Sequence, residues 1–227
     1  MINNLSVIIL CGGKGERLRP LTESIPKPLV EINGKPILEY LINYLRNFGV
    51  SDIYITSGYK ADKIFEYFEK KHKDLNIQIV DSGDSDIIER IKSCAKYIHN
   101  DFILLYGDTL ANVNLEELQK FHKGHDKKST ITLYQLKSQF GIAELDENDT
   151  VTRFVEKPLL DKWINIGNFY FDKTIFAKLN EFNRFQDFLE QMGKSKEIKG
   201  YKHTGVHITV NTFNELEEAK ENIHKFK

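Results

Sequence analysis

The sequence predicts an α/β fold, a mainly parallel but mixed sheet with helices on both faces and a β-rich second half. Three observations carry this. Short apolar runs of strand length alternate with stretches of helical period through residues 1–125; glycine-bearing turns follow two of those runs directly; and from residue 126 onward the runs become predominantly strand-like.

Ser6-Val-Ile-Ile-Leu10 is a continuous apolar run, the mark of a strand covered on both faces. A helix over Ile37 to Phe48, a strand over Ile53 to Thr56, a helix over Ala61 to Lys71 and a strand over Ile77 to Val80 follow in alternation. Ile87, Ile88, Ile91, Cys94, Ala95 and Ile98 recur near the 3.6 period and predict a helix over Ile87 to Ile98, followed by a short strand over Phe102 to Leu105. After a helix over Leu115 to His122 come strands over Ser129 to Tyr134, Ile142 to Leu145, Thr150 to Val155 and Trp163 to Phe171. Helices over Lys173 to Leu179 and Asp187 to Met192 come next, and Leu216 to Phe226 closes the fold. No repeat or Pro/Ser-rich linker divides the chain, so residues 1–227 are expected to form one domain, with an alternating half over 1–125 and a strand-rich half over 126–227. In a Rossmann-like sheet the ligand crevice lies at the carboxyl ends of the strands, where Gly12 and Gly107-Asp108 both fall.

Composition narrows the partners. With 227 residues, 41% of them hydrophobic, the chain can bury a substantial core. Its 32 Lys+Arg against 33 Asp+Glu leave a formal charge of −1, so no global field recruits nucleic acid or an anionic membrane. No apolar run approaches the roughly 18 residues of a membrane span, and a soluble, cytoplasmic protein is expected. Cys11 and Cys94 are too few for a metal site and are expected as free thiols.

Chemistry concentrates in the loop after the first strand. Gly12, Gly13 and Gly15 leave backbone N–H groups open to an anion, and Lys14 and Arg17 add positive charge, Arg17 as a planar fork of donors. Such a glycine cluster also serves as an ordinary turn. Pro26 and Pro28 flank Lys27 and are expected to hold it in extended chain, where it can be aimed. Asp108, following a buried-looking strand and Gly107, suits a hard divalent cation and equally suits a turn.

The run G-G-x-G-x-R-L-x-P-L-T followed by P-K-P resembles the N-terminal signature of the sugar-phosphate nucleotidyltransferases, which join a nucleoside triphosphate to a sugar 1-phosphate. The resemblance implies that Leu10, Gly12, Gly13, Lys14, Gly15 and Gly107 bind nucleotide, that Arg17 binds the leaving pyrophosphate, that Lys27 reaches the reacting phosphate and that Asp108 binds Mg²⁺. Phe154-Val-Glu-Lys-Pro158 resembles the family's E-K-P motif, which gives Glu156 to the acceptor sugar and Lys157 to its phosphate. Gly141 matches a turn near the sugar, and Asn165 and Gly167 match the I-N-x-G segment beside the acceptor.

Ser82, Gly83 and Asp84 stand where base and ribose contacts are expected and look closest to the glucose-1-phosphate cytidylyltransferase branch, which favours CTP. The glycine-rich turn that follows in the family is here Asp86-Ile-Ile-Glu-Arg90. Near the C-terminus Asn211, or Thr209, stands where a second metal-binding aspartate is expected. Guanylyl or thymidylyl transfer, a non-sugar phosphate acceptor, and a nucleotide-binding module with impaired turnover remain open beside the cytidylyltransferase reading. A homo-oligomer is implied by the resemblance alone.

Overall fold

The structure, a computed structural model, describes residues 5–69 and 71–226. Along the chain come β1 (Ser6–Leu10), the short hairpin of β2 (Glu31–Ile32) and β3 (Lys35–Pro36), α1 (Ile37–Asn47), β4 (Asp52–Ser57), α2 (Ala61–Phe68), β5 (Asn76–Asp81) and α3 (Ile87–Ser93). Then follow β6 (Phe102–Tyr106), β7 (Thr109–Ala111), α4 (Leu115–Lys123), β8 (Ser129–Lys137), β9 (Ile142–Leu145), β10 (Val151–Val155) and β11 (Leu159–Phe171). The chain ends with α5 (Ile175–Leu179), α6 (Phe185–Lys194), β12 (Ile198–His203), β13 (His207–Thr209) and α7 (Phe213–Asn222).

Seven of these strands form one sheet in the order β12-β8-β11-β6-β1-β4-β5. The stretch β6-β1-β4-β5 is parallel, β11 runs antiparallel to both β6 and β8, and β12 is parallel to β8. The expected mixed, mainly parallel α/β sheet is therefore present. Alternation of side chains along β1 explains its continuous apolar run: Val7 and Ile9 pack with Leu38, Leu41 and Leu45 of α1, while Ile8 packs with Ile88 and Ile91 of α3 and Phe185 and Phe188 of α6. Each such buried side chain contributes roughly 1.5–3 kcal/mol, which anchors β1 more firmly than any surface ion pair could.

Several elements differ from expectation for local reasons. The helix begun at Ala61 ends at Phe68, three residues before Lys71, and the chain reverses through His72 at φ 53°, where the imidazole Nε2 bonds Glu39. Residue 70 lies outside the described residues. The helix begun at Ile87 ends at Ser93, whose hydroxyl donates to the Arg90 carbonyl, and a 3₁₀ turn over Ala95–Tyr97 replaces its last turn. The final helix begins early, at Phe213, because Thr212 and Glu215 form a capping box there. Strand β12 is polar and half-covered, so it lacks an apolar alternation that the sequence could reveal. Cys11 and Cys94 are buried free thiols. Among the described residues, no helix is long and apolar enough to cross a membrane.

Candidate active site

Carboxyl ends of the four parallel strands lie side by side, since Leu10 pairs with Tyr106 and Thr56, and Ser57 with Asp81. The loops that leave them interlock through glycines. Gly107 donates its N–H to the Leu10 carbonyl at 3.0 Å, and a Cβ at Gly107 would lie 2.6 Å from Cys11 Sγ, so only glycine passes here. A Cβ at Gly58, just past β4, would collide with the Gly83 carbonyl, which brings the 82–84 turn beside the Gly12 loop.

Gly15 adopts φ +63°, and Thr22 donates its hydroxyl to the Gly15 carbonyl at 2.9 Å. Lys27 packs closely beside it, since a Cβ at Gly15 would lie 3.1 Å from the Lys27 Cβ. Pro26 is extended as expected, but Lys27 itself opens a 3₁₀ turn over Lys27–Leu29 rather than lying in extended chain. Pro28 in the second position of that turn loses no hydrogen bond, so a proline pair read as extended also fits a turn start. The turn aims the ammonium inward.

Lys27 Nζ donates to Asp108 Oδ2 at 2.6 Å and to Asn211 Oδ1 at 2.7 Å, joining positions 81 and 184 residues away in the chain. The two acceptors are held together by backbone. Strands β7 and β13 pair antiparallel, and Val210 N–H donates to the Asp108 carbonyl at 3.2 Å. Asp108 Oδ1 accepts from the Thr109 hydroxyl at 3.2 Å, and Asn211 Nδ2 donates to Thr209 Oγ1 at 2.8 Å, which points the amide oxygen at Lys27. Glu215 accepts the backbone N–H groups of both Asn211 and Thr212, so the cap of α7 also fixes Asn211.

The glycine loop, the lysine and the strand-end aspartate, which the sequence names from separate motifs, thus lie together at one place in the fold. The sequence matches the nucleotidyl transferase family over residues 6–211. The chain belongs to that family. It is 34% identical to a probable glucose-1-phosphate cytidylyltransferase of Bacillus subtilis, over 95% of this chain and 94% of that protein. It is also 34% identical to a D-glycero-alpha-D-manno-heptose 1-phosphate guanylyltransferase of Campylobacter jejuni, over 86% of this chain and 89% of the other. The crystal structure of HddC from Yersinia pseudotuberculosis complexed with GMP-PN superposes with a TM-score of 0.75 at 27% identity, covering 96% of this chain and 99% of that one.

In this nucleotidyltransferase the remaining residues named from the sequence fall into two groups. On the phosphate side, Lys14 pairs with Asp84 at 3.0 Å across the mouth of the crevice, and Gly13 has open space where a side chain would stand. Arg17 is exposed on the 3₁₀ turn over Glu16–Leu18 and Leu10 is half-buried at the end of β1. The Ser82 hydroxyl donates to the Ser57 carbonyl at 2.9 Å, tying the ends of β4 and β5, and Gly83 at φ +62° donates to Asp81.

The acceptor-side residues are split. Gly167 at φ +70° lets the Tyr106 ring lie against its backbone, and Asn165 Oδ1 accepts the Gly167 N–H at 2.8 Å, so both sit one strand from Asp108. Gly141 and Glu156 meet on the hairpin of β9 and β10, where a Cβ at Gly141 would lie 2.9 Å from Glu156 Oε2 and would collide with Phe154. Lys157 holds φ 47°, a strained conformation for a residue with a side chain. Among the described residues this hairpin pairs with no other strand and makes no hydrogen bond to Lys27 or Asp108.

Sequence reasoning missed Arg90. Its side chain is only 7% exposed, the guanidinium lies where a Gly12 side chain would be, and Nε has no hydrogen-bond partner. Burial lowers the Arg90 pKa, against the pull of Asp84 and Asp86. The signal was available: Arg90 interrupts the apolar face made by Ile87, Ile91 and Cys94, and a charge on a buried helix face calls for a role.

Proposed function

We propose that this enzyme transfers the nucleotidyl group of CTP to a sugar 1-phosphate, releasing pyrophosphate. The observation that carries the reading is the Lys27 ammonium bonded to both Asp108 and Asn211 below the Gly12–Gly15 loop. An acceptor phosphate oxygen forms a bond to the α-phosphorus as the α–β bridging P–O bond breaks, and that electron pair leaves with pyrophosphate. The acceptor oxygen is already an anion at neutral pH, so no general base is required, and catalysis reduces to alignment and charge neutralisation.

Within this reading residues 1–125 handle the nucleotide and residues 126–227 the acceptor. The glycine loop cradles the triphosphate, Lys14 and Arg17 neutralise the departing pyrophosphate, and Lys27 steadies the reacting phosphate. Glu156 and Lys157 hold the acceptor sugar and its phosphate, with Gly141, Asn165 and Gly167 shaping the pocket. Asp108 and Asn211 offer one carboxylate and one amide oxygen, a donor set that fits Mg²⁺ shared with substrate phosphates. Bound there, Mg²⁺ would offset charge on the phosphate oxygens.

Arg90 supports the choice of base. A guanidinium offers two parallel N–H donors, which match the adjacent O2 and N3 acceptors of cytosine or the O6 and N7 acceptors of guanine; adenine and uracil present no adjacent acceptor pair. GTP is therefore the second reading, favoured by the likeness to the Campylobacter guanylyltransferase. Pyrophosphate release measured with each of CTP, GTP, UTP, dTTP and ATP against a panel of sugar 1-phosphates tests both. CTP should turn over fastest; preference for UTP, dTTP or ATP overturns the assignment, and preference for GTP selects the second reading.

A further inference from the structure

We infer that Asn211 keeps this chain from holding a divalent cation on its own, so that Mg²⁺ binds only jointly with the triphosphate. The inference rests on the proposed nucleotidyltransferase site and concerns the order in which that site is filled. Three side chains meet there, carrying one positive charge at Lys27, one negative charge at Asp108 and none at Asn211. Their sum is zero. The two oxygens aimed at the centre both accept from one ammonium, whose side chain is only 11% exposed and therefore little screened by water.

The other polar groups around the centre are already engaged. The second oxygen of Asp108 accepts from Thr109, the Asn211 amide is fixed by Thr209, and the Glu215 carboxylate is turned to the backbone N–H groups of Asn211 and Thr212. Among the described residues, no group of three or more His, Cys, Asp or Glu side chains could hold a metal ion. Mg²⁺ sheds water reluctantly and needs anionic oxygens to do so. A single carboxylate already bonded to an ammonium does not supply them, whereas a triphosphate does. An aspartate at position 211 would leave one negative charge unneutralised beside Lys27, and a neutral side chain at position 27 would do the same beside Asp108.

Mn²⁺, followed by its free-ion EPR signal in titrations of the full chain without nucleotide, reads this directly. The wild-type chain should leave the signal unchanged, while Asn211→Asp and, independently, Lys27→Met should each bind one Mn²⁺ at least roughly tenfold more tightly. Far-UV circular dichroism confirms that each variant is folded. Tight Mn²⁺ binding by the wild type, or folded variants that both fail to gain binding, overturns the inference. Water-proton relaxation with Mn²⁺ and CTP or GTP together, with and without protein, should show enhancement by the wild type only when all three are present. No enhancement and no thermal shift with either nucleotide counts against the nucleotidyltransferase reading, while the nucleotide-free titrations still decide the role of Asn211.

Discussion

At one end of the molecule four parallel strands deliver their last residues into loops that lock onto one another; at the other, β9 and β10 pair only with each other and stand open to solvent. In the first region loop positions are fixed by neighbours distant in the chain. Gly58 meets Gly83, Gly107 meets Cys11, Gly12 meets Arg90, and Lys27 is bonded to two residues distant in sequence. In the hairpin, register places Ala143, Leu145, Val151 and Phe154 on one face, and Phe154 is 64% exposed while nearby Phe140 is 77% exposed. On the proposed reading, the transfer chemistry is thus held by the core, and acceptor recognition falls to residues whose replacement leaves the core unstrained.

The comparison can be broken by mutation. The largest effect should come from Asp108→Asn, which removes the sole carboxylate at the centre and should lower kcat by at least about 100-fold with an unchanged far-UV spectrum; near-normal turnover would remove Asp108 from the site. Next comes Gly58→Ala, whose new methyl group would have to displace the Gly83 backbone, at about 2 kcal/mol of stability by urea unfolding. Glu156→Gln on the hairpin should raise the acceptor KM roughly tenfold while stability stays within about 0.5 kcal/mol, and a large loss of stability there would erase the contrast between the two regions. Arg90→Met sharpens it from the other side: removing a buried, incompletely bonded cation should gain about 1 kcal/mol in stability while weakening nucleotide binding.

The smallest effect lies outside both regions. Lys127 N–H donates to His125 Nδ1, so His125 is neutral and its Nε2–H donates to the Thr130 hydroxyl, which also bonds His122 Nδ1 at 2.8 Å. Burial pushes the His122 pKa down to about 4. The unfolded chain therefore binds the extra proton first, and the contribution of neutral His122 is complete above about pH 6.5 and is lost as pH falls toward about 4. Melting temperatures over that range should fall less steeply for His122→Asn than for the wild type.

Much of the phosphate region was legible in the sequence because continuous apolar runs and glycine turns mark buried strands and their ends. Ser6 to Leu10 and Phe102 to Leu105 fall within strands that adjoin in the sheet, and Asp108 and Asn211 both reach Lys27, although the sequence marks position 211 as a departure from the expected aspartate. What stayed hidden depends on three-dimensional phase. Arg90 stands out in the sequence only as a charge on an apolar helix face, and its meeting with Gly12 follows from how α3 packs, while Glu215 reads as a surface acid until the capping box brings it to Asn211. Strand β12 carries Lys199, Gly200 and Lys202 and is held chiefly by its ladder to β8, which no apolar pattern announces.

Strand β11 runs for 13 residues from the open hairpin into the centre of the sheet, and its pairing with β8 slips twice, between Leu159 and Trp163 and between Asn165 and Phe169. These slips act as expansion joints. A residue gained or lost in the hairpin would be absorbed before Phe169, whose ring and pairing with Leu104 would stay where they are. On the proposed reading, the outer half of the molecule is therefore free to be rebuilt for a new acceptor, like a tool head changed on an unchanged handle, without retuning the part that would break the phosphate bond.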